Sequence, residues 1–492
     1  MARYEALVGQ PHRLPRCDRT VIGNRQRRAR MNRRTVAWMP NTVAKSACAG
    51  RRSSDDPENA RAGAGKETDV TVARSAVTPD IDATRWPDVA VVPHSPVRAA
   101  IARRLFHRTV ARIQLRVVEP SGRTYGGGGS KDPVFRLVRP AAFFQRVGAS
   151  GSVGFGEAYM AGDWTADDLS GVLCAFAAHL RDVVPAALQR LRAVALRRPP
   201  AAEDNTVAGA RRNIQRHYDL SNDMFKVFLD ESMTYSAALY KGDPAESSDE
   251  LVTAQRRKVD RLLDASQVQA GTRVLEIGTG WGELAIRAAG RGAEVTSITN
   301  SAEQAALARE RIAQAGLADR ATVLLQDYRA ATGRFDAVVS VEMVEAVGMN
   351  YWPDYFQTID RALVPGGRAG LQAILQADDL MRATANTYTW IRKYIFPGGA
   401  LLSAEALHDT IARHTGLHLL DRYSFGQHYA ETLRRWRANF EARSADIARL
   451  GFDETFRRMW SFYLAYSESG FRTGCLDVCQ ICLAKPVRGA LA

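Results

Sequence analysis

Short apolar runs alternate with amphipathic stretches along the second half of the chain. Runs such as Arg273–Ile277 have the length and apolar content of buried strands, whereas Ala302–Ala315 and Tyr355–Leu363 have the apolar spacing of helices. Strands that alternate with helices predict an α/β fold, with a largely parallel sheet covered by helices on both faces. The predicted strands are Arg273–Ile277, Glu294–Ile298, Thr322–Leu325, Asp336–Val341, Arg368–Ile374, Leu417–Tyr423 and Val478–Leu483.

The region from residue 81 to residue 200 has a different pattern and is predicted to be a smaller N-terminal domain. In Val97–Arg108, apolar residues recur at a spacing of four among arginines, which predicts a short basic amphipathic helix. Such a helix either lies on an anionic membrane surface or packs on its own domain. Alternating apolar and polar residues then predict a strand at 113–117, and a helix is expected over Asp167–Arg181.

The positive charge of the chain is concentrated at its start. The net charge is +14, and the first 54 residues hold thirteen Lys and Arg against Glu5 and Asp18, a surplus of eleven. Because apolar periodicity is scarce there, residues 1–80 are predicted to be a disordered basic tail. Such a tail can bind nucleic acid or anionic lipid, and the alternative is that translation starts at Met31 or Met39. No nucleic-acid partner is expected.

Composition places the remainder of the chain among globular proteins of the cytoplasm. Hydrophobic residues make up 46% of the chain and charged residues 24%. No apolar run reaches the length of about 18 residues that a membrane-spanning helix needs, and no signal-peptide core is present. Six cysteines are too few for a disulfide scaffold in 492 residues, so a reducing compartment is expected.

A glycine-rich turn follows the first predicted strand of the larger region. Gly278, Gly280 and Gly282 have the spacing G-x-G-x-G, and Glu276 lies near the end of the strand. Glycines permit a tight turn and a close approach of the backbone to a ligand. The spacing resembles motif I of class I methyltransferases, whose turn holds the methionine part of S-adenosylmethionine. The resemblance implies a doubly wound class I methyltransferase domain over residues 205–492, with cofactor contacts from Glu276 and the three glycines.

Two later segments agree with this resemblance. Asp327 and Tyr328 follow the third predicted strand, where the methyltransferase class commonly places an acidic residue that contacts adenine. Residues 363–367, Leu-Val-Pro-Gly-Gly, precede the fifth strand and resemble the late Pro-Gly-Gly turn of the class. Each segment alone is compatible with an ordinary turn, but their order and their positions at strand ends favour a cofactor site.

The end of the second predicted strand narrows the resemblance. Class I methyltransferases often carry an acidic ribose-binding residue there, whereas residues 298–304 of this chain read Ile-Thr-Asn-Ser-Ala-Glu-Gln. This segment resembles the cyclopropane-fatty-acyl-phospholipid synthases, in which the matching Thr and Gln contact the cofactor. The resemblance therefore makes Thr299 and Gln304 candidates for cofactor binding. The alternative is a plain helix N-terminus capped by Asn300 or Ser301.

Two aromatic segments extend the resemblance to this family over nearly all of residues 130–485. Family segments that fold over the cofactor resemble two parts of this chain, residues 212–225 and the Met-Thr-Tyr-Ser segment at residues 233–236. The resemblance implies that Tyr218, Tyr235 and Ser236 lie near the cofactor. Aromatic faces attract a sulfonium cation, and a lid excludes water from a carbocationic reaction. The alternative is that the two tyrosines only pack in the core.

The resemblance also implies that a bound bicarbonate ion is the base of the reaction. Its ligands in the family match Glu345, the backbone of Ile374 and Tyr429. Two positions depart from the family, since Ala237 stands in place of a cysteine and Gln372 in place of a histidine. Ala237 offers no polar side chain, and Gln372 can donate a hydrogen bond but cannot take up a proton. These departures weaken the case for ring closure but leave methyl transfer unaffected.

The segment Gly154–Trp164 resembles the N-terminal domain of family members that act on phospholipids. The expected reaction is methyl transfer to the double bond of an unsaturated acyl chain in a membrane phospholipid, by an enzyme that contacts the inner membrane face peripherally. Loss of a proton from the new methyl group gives a cyclopropane. A hydride shift before proton loss gives a methylene branch, which a separate reductase would convert to a methyl branch. No metal is expected, and the alternative is a methyltransferase for a soluble small molecule.

Overall fold

The computed structural model describes residues 80–179, 200, 203–210, 213, 221–385 and 387–487. The predicted tail, apart from Asp80, and the predicted site residue Tyr218 lie outside the described residues. No helix in these described ranges is long and apolar enough to cross a membrane.

The N-terminal region builds a small sheet with helices packed on it. Its elements are α1 (Pro87–Ala90), α2 (Pro96–Val110), β1 (Arg116–Val118), β2 (Thr124–Tyr125), β3 (Val134–Leu137), α3 (Pro140–Ser150), α4 (Ser152–Met160), β4 (Trp164–Ala166) and α5 (Leu169–Ala177). The sheet order is β2-β1-β3-β4, and Phe135 stacks on Trp164 in its core, with ring centroids 4.4 Å apart. Helix α2 confirms the predicted amphipathic helix. The strand predicted from residue 113 begins only at Arg116, because pairing with β3 starts there.

The larger region contains the main sheet and the helices that cover it. Its elements are α6 (Asn222–Phe228), α7 (Leu251–Ala265), β5 (Arg273–Ile277), α8 (Glu283–Gly290), β6 (Glu294–Thr299), α9 (Ala302–Gln314), β7 (Ala321–Leu325), β8 (Phe335–Val341), α10 (Val344–Val347), α11 (Trp352–Ala362), β9 (Leu363–Gln376), α12 (Asp378–Thr384), α13 (Trp390–Tyr394), α14 (Ala404–His414), β10 (His418–Ser424), α15 (Gly426–Ala442), α16 (Ser444–Arg449), α17 (Glu454–Arg472) and β11 (Leu476–Ala484).

The main sheet has seven strands in the order β10-β11-β9-β8-β5-β6-β7. Strands β5 to β9 pair in parallel, whereas β11 pairs antiparallel with β9 and with β10. This topology confirms the predicted doubly wound, largely parallel sheet. After β7 the chain returns to the other side of β5, so strand order reverses between β5 and β8. Ligands of such sheets bind at this switch point, beyond the carboxyl ends of the strands.

The predicted Pro-Gly-Gly turn lies inside a strand. Strand β9 begins at Leu363 and includes residues 365–367, so the turn does not precede the strand as expected. The pairing of β9 with β8 shifts register between Phe335 and Ala337, and the backbone N–H of Gly366 donates to the carbonyl of Lys485 instead. The irregular residues are therefore accommodated as a local break in the ladder rather than as a separate turn.

The N-terminal elements pack directly on the C-terminal helices. Gly156 of α4 lies so close to the ring of Trp390 that an added Cβ atom would lie 2.4 Å from it. The hydroxyl of Ser170 on α5 donates to Glu468 of α17 at 2.6 Å, and both residues are 1% exposed. These contacts join the two regions through a shared core.

Candidate functional site

The glycine turn after β5 has a backbone that suits few other residues. Gly278 and Gly282 have φ angles of +96° and +92°, in the left-handed region that favours glycine. A Cβ atom on Gly278 would lie 2.4 Å from Cγ of Met343, whereas one on Gly280 would meet nothing within 4 Å. The turn is therefore closely packed on its β8 side and open at Gly280, where a ligand can approach the backbone.

Glu276 lies in β5, immediately before this turn. Only 2% of Glu276 is exposed, and its carboxyl group accepts a hydrogen bond from the hydroxyl of Ser297 on β6. The hydroxyl groups of Ser297 and Thr279 lie 2.6 Å apart. Burial raises the pKa of Glu276 to about 8. Glu276 thus connects β5, β6 and the glycine turn, and its contact with a cofactor stays a prediction.

Thr299 and Gln304 lie together at the carboxyl end of β6. The hydroxyl of Thr299 donates to Oε1 of Gln304 at 3.0 Å, and each residue is 7% exposed. Ser301 caps α9, because its Oγ accepts from the backbone N–H of Gln304 at 3.2 Å. The helix cap and the polar pair are therefore both present, and one does not exclude the other.

Asp327 and Tyr328 lie at the carboxyl end of β7, on the same edge of the sheet. Oδ1 of Asp327 accepts from Nε of Arg329 at 2.9 Å, and Oδ2 accepts from Nδ2 of Asn300 at 3.3 Å. Tyr328 is buried, its ring contacts Tyr355 edge-on, and burial raises the pKa of its hydroxyl. Asp327 is thus an oriented carboxylate at the edge, whereas Tyr328 also serves as a packing residue.

Tyr235 and Ser236 lie between α6 and α7 in a buried environment. The ring of Tyr235 stacks on Trp436 with centroids 5.3 Å apart, and its hydroxyl lies 2.6 Å from that of Tyr463. Oγ of Ser236 accepts a hydrogen bond from Nζ of Lys258 at 2.6 Å. Burial lowers the pKa of Lys258 to about 8. Lys258, on α7, was not singled out from the sequence, and it adds a buried cation to this segment.

Glu342 follows β8 and accepts hydrogen bonds from three separate parts of the chain. Its Oε1 accepts from the backbone N–H of Ala237 at 3.0 Å and from Nε2 of Gln372 at 2.8 Å. Its Oε2 accepts from the hydroxyl of Tyr429 at 2.9 Å. Ala237, Gln372 and Tyr429 are positions that the family resemblance associates with bicarbonate, so the structure brings them together around a side-chain carboxylate. The sequence signal for Glu342 is its position directly after the predicted strand Asp336–Val341.

Glu345 lies on α10, three residues after Glu342. Its Oε1 accepts a hydrogen bond from the backbone N–H of Ile374, so these two predicted residues are in direct contact. Its Oε2 is buried and has no hydrogen-bond partner within the described part of the chain. Burial, and then the charge of Glu342, raises the pKa of Glu345 to about 8, so this carboxyl group is mainly protonated at neutral pH.

A second buried amide orients Gln372. Nε2 of Gln480 on β11 donates to Oε1 of Gln372 at 3.2 Å and to the carbonyl of Lys258 at 2.9 Å. The guanidinium of Arg261 donates to Oε1 of Gln480 at 2.8 Å. Because Gln480 presents its N–H to the Gln372 oxygen, the N–H of Gln372 is left to donate to Glu342.

Burial governs the electrostatics around Glu342. Burial raises the pKa of Glu342, and the donors Ala237 and Gln372 and the charge of Lys258 oppose this rise. Burial and the charge of Glu342 also raise the pKa of Tyr429 well above its ordinary value, so its hydroxyl remains a donor. A partly buried carboxylate with three donors and a nearby cation is an arrangement that can hold a negative charge and accept a proton away from water.

Known proteins with similar sequences match most of the chain. The family model for mycolic acid cyclopropane synthetase matches residues 206–481. The chain is 50% identical over 406 residues to the tuberculostearic acid methyltransferase UfaA1 of Mycobacterium tuberculosis, a match that covers 81% of this chain and 95% of that protein. It is 34% identical over 390 residues to the cyclopropane-fatty-acyl-phospholipid synthase of Escherichia coli K12, covering 77% of this chain and 94% of that protein.

Solved structures with the same fold cover a smaller share of the chain. The cyclopropane synthase MmaA2 from Mycobacterium tuberculosis is 30% identical, with a TM-score of 0.51, and the match covers 56% of this chain and 98% of that one. The mycolic acid cyclopropane synthase CmaA1, complexed with SAH and CTAB, is 28% identical, also with a TM-score of 0.51. That match covers 56% of this chain and 97% of the other.

Proposed function

This chain belongs to the mycolic acid cyclopropane synthetase family and is an S-adenosylmethionine-dependent methyltransferase, and from that premise we propose that it methylates the double bond of unsaturated acyl chains in phospholipids. The observation that carries this proposal is the partly buried polar centre of Glu342, Glu345 and Tyr429 at the switch point of the sheet. An alkene is a poor nucleophile, and its methylation leaves a carbocation. The site must therefore exclude water and contain a base, which this centre provides.

The loops at the carboxyl ends of β5, β6 and β7 fit S-adenosylmethionine. The turn is open at Gly280. The pair Thr299 and Gln304 lies at the end of β6 and the start of α9, and Asp327 presents a carboxylate after β7. When bound, the cofactor supplies a methyl group on a sulfonium centre. The family resemblance implies that Tyr235 lies near this centre, and an aromatic ring attracts such a cation.

The extent of the sequence matches supports a phospholipid substrate. Matches of 406 and 390 residues are longer than the family segment 206–481, so they include much of the N-terminal region. The two relatives concerned are named for tuberculostearic acid and for fatty-acyl phospholipid. By contrast, the cyclopropane synthase MmaA2 matches only 56% of the chain. The N-terminal region is thus a shared feature of the two longer relatives, which favours their class of substrate.

The exposed face of α2 supports peripheral contact with a membrane. One face of this helix buries Ala102 and Phe106, while on the opposite face Val97 is 73% exposed and Ile101 is 55% exposed. Arg104 and Arg108 are also exposed, and helical spacing places them on the same face as the two apolar residues. Apolar residues flanked by arginines suit the boundary between acyl chains and anionic headgroups.

Two products are compatible with the same methyl transfer. Proton loss from the new methyl group closes a cyclopropane ring, whereas a hydride shift followed by proton loss gives a methylene branch. The second route requires a separate reductase if a methyl branch is the final product. Gln372 and Ala237 are the positions at which the chain departs from ring-forming relatives, so they are the first residues to exchange when the product is known.

The proposal is tested by expressing the chain in a host that makes unsaturated phospholipids and no enzyme of this family, with isotopically labelled methionine. Mass spectrometry of the phospholipid acyl chains is expected to show labelled chains heavier by one CH2 unit, and hydrogenation then separates a ring from a methylene branch. Gly278→Val is expected to abolish the label, whereas Gly290→Ala, at a site with open space, retains it. If the folded, cofactor-binding protein yields no labelled lipid, the acceptor is instead a soluble small molecule.

A further inference from the structure

The carboxylate of Glu342 accepts hydrogen bonds from three residues at positions that the family resemblance associates with a bicarbonate ion. Bicarbonate and a glutamate side chain both present a planar, negatively charged O–C–O group. We propose that the Glu342 side chain replaces the ion and is itself the base that removes the proton after methyl transfer. The proposal rests on the proposed function and names the catalytic base of that reaction.

Three of the positions associated with bicarbonate already donate to Glu342, and the backbone N–H of a fourth, Ile374, already donates to Glu345. The N–H of Ala237 and the amide of Gln372 lie 3.0 and 2.8 Å from Oε1, and the hydroxyl of Tyr429 lies 2.9 Å from Oε2. A free anion at the same place would compete with a tethered carboxylate for the same three donors and would be repelled by its charge. The residues present therefore do not fit a bicarbonate ion.

The backbone at Glu342 has an unfavourable conformation, which indicates that contacts of its side chain hold it in place. Glu342 has a φ angle of +52°, one of four positive values found at non-glycine residues among those described. Such a conformation is unfavourable for a residue with a Cβ atom and persists where surrounding contacts impose it. The three hydrogen bonds to the carboxylate are contacts of that kind.

Glu342 is also adjacent to the glycine turn after β5, which the proposed function assigns to the methyl donor. The next residue, Met343, has its side chain against Gly278, where an added Cβ would lie 2.4 Å from Cγ of Met343. Two consecutive residues after β8 thus serve the site: Met343 packs on the glycine turn, and Glu342 carries the carboxylate. Both lie at the switch point between β5 and β8. A base at this place lies beside the turn that the proposed function assigns to the cofactor, whose transferred methyl group carries the proton to be removed.

The charged groups around Glu342 suit a base that is regenerated in each cycle. Lys258 is the cation that favours its ionised form, and Tyr429 donates to it from α15. Glu345 on α10 is its carboxyl neighbour, and the negative charge of Glu342 favours the protonated form of Glu345. With Glu345 neutral and Lys258 charged, the centre carries one carboxylate, at Glu342.

The proton step balances with this assignment. The π electrons of the alkene form the new carbon–carbon bond to the methyl group, whose bond to sulfur breaks with its electron pair remaining on sulfur. The resulting carbocation loses a proton to Oε1 or Oε2 of Glu342, which becomes a neutral carboxylic acid. The electron pair of the broken C–H bond forms the third ring bond directly. For the methylene branch, a hydride first shifts from the methylated carbon to the cationic carbon, and the C–H electron pair then forms the new double bond. The acid later returns its proton to solvent.

Two substitutions at Glu342 separate the proposal from a structural role. Glu342→Gln keeps the shape of the side chain but removes the base. Glu342→Gly removes the carboxylate, leaves the donors around an anion-sized space and relieves the positive φ angle. Glu294→Gln, at an exposed glutamate on β6, is the matched control. Binding of S-adenosylhomocysteine, measured by calorimetry, reports whether each variant folds and retains the cofactor site.

The measurements are made in buffer freed of carbon dioxide, with and without added bicarbonate. The wild-type rate is expected to be independent of bicarbonate, Glu342→Gln to lose about 10²- to 10⁴-fold, and Glu342→Gly to be restored at least about tenfold by bicarbonate. Carbon-13 NMR of labelled bicarbonate provides a readout without turnover, since binding is expected to Glu342→Gly and not to the wild type. A wild-type enzyme that needs bicarbonate, or a Glu342→Gln variant with full rate, would overturn the proposal.

Failure of the proposed function has a different signature. If the acyl-chain reaction is wrong, the wild-type protein itself gives no labelled lipid, although it still binds S-adenosylhomocysteine. If only the assignment of the base is wrong, the wild type gives labelled lipid and the Glu342 variants fail to show the expected loss and rescue. The bicarbonate NMR experiment does not depend on the lipid substrate, so it tests the replacement of the ion in either case.

Discussion

The ammonium group of Lys258 donates a hydrogen bond to the hydroxyl of Ser236 across 2.6 Å, and these residues are only 1% and 4% exposed. Burial lowers the pKa of Lys258 to about 8, while the nearby charge of Glu342 opposes that shift. The lysine is therefore mostly charged at neutral pH and loses its charge at mildly alkaline pH. It couples the segment around Ser236 to the carboxylate centre.

Lys258→Met is expected to change how stability depends on pH. The unfolded chain keeps this lysine protonated to its ordinary pKa of 10.5, whereas the folded chain releases the proton at about 8. Between these values the unfolded state binds more protons, so the wild-type free energy of unfolding should rise with pH, by about 3 kcal/mol for this one group. Denaturant unfolding at pH 7.5 to 10.5 should show that this rise is absent in Lys258→Met. The exposed Lys226→Met is the control, and an identical pH dependence for both variants would contradict the expectation.

Gly278→Ala is expected to weaken cofactor binding by at least about tenfold. The added Cβ atom would overlap the side chain of Met343, and the φ angle of +96° would be strained for alanine. Calorimetry with S-adenosylhomocysteine measures the loss. Gly290→Ala is the matched control, because its Cβ atom meets nothing within 4 Å. If the two variants bound S-adenosylhomocysteine with equal affinity, the turn at Gly278 would not be part of the cofactor site.

Gln480→Leu is expected to lower kcat about tenfold to a hundredfold, with little change in KM for the cofactor. Leucine cannot donate to Oε1 of Gln372, so the Gln372 amide loses the contact that directs its N–H toward Glu342. Steady-state kinetics separate this effect from simple loss of folded protein. Gln314→Leu, at an exposed residue, should leave both constants unchanged. A fall in the amount of active protein with an unchanged kcat would indicate that Gln480 is only a packing residue.

Charge on the exposed face of α2 is expected to reduce membrane binding. Val97→Asp combined with Ile101→Asp places two carboxylates where apolar side chains would enter the headgroup region. Sedimentation with vesicles rich in anionic phospholipid should show a loss of bound protein of about tenfold or more. Leu420→Asp, at a leucine of β10 that is 51% exposed, should bind as the wild type does. If Leu420→Asp reduced vesicle binding and the double variant at Val97 and Ile101 did not, α2 would not be the membrane-facing surface.

The main sheet and the cofactor loops could be predicted because their signals are local. Apolar runs a few residues long define each strand, and the G-x-G-x-G spacing places a turn immediately after one of them. Parallel strands bring their carboxyl ends to one edge, so Gly280, Thr299 and Asp327 were expected to lie together, and the structure places them at the carboxyl ends of the adjacent strands β5, β6 and β7. The helix at 97–108 followed from its own periodicity in the same way.

The carboxylate centre could not be predicted to the same extent because its contacts are not local. Glu342 has an identifiable position after a strand, but its role depends on Ala237, Gln372 and Tyr429, which are 105, 30 and 87 residues away in the chain. The buried state of Lys258 likewise requires the sheet and α7 to pack together. Strand periodicity specifies which residues reach the edge of the sheet. Only tertiary packing brings distant donors to a single carboxylate and removes water from it, which sets its charge and its chemistry.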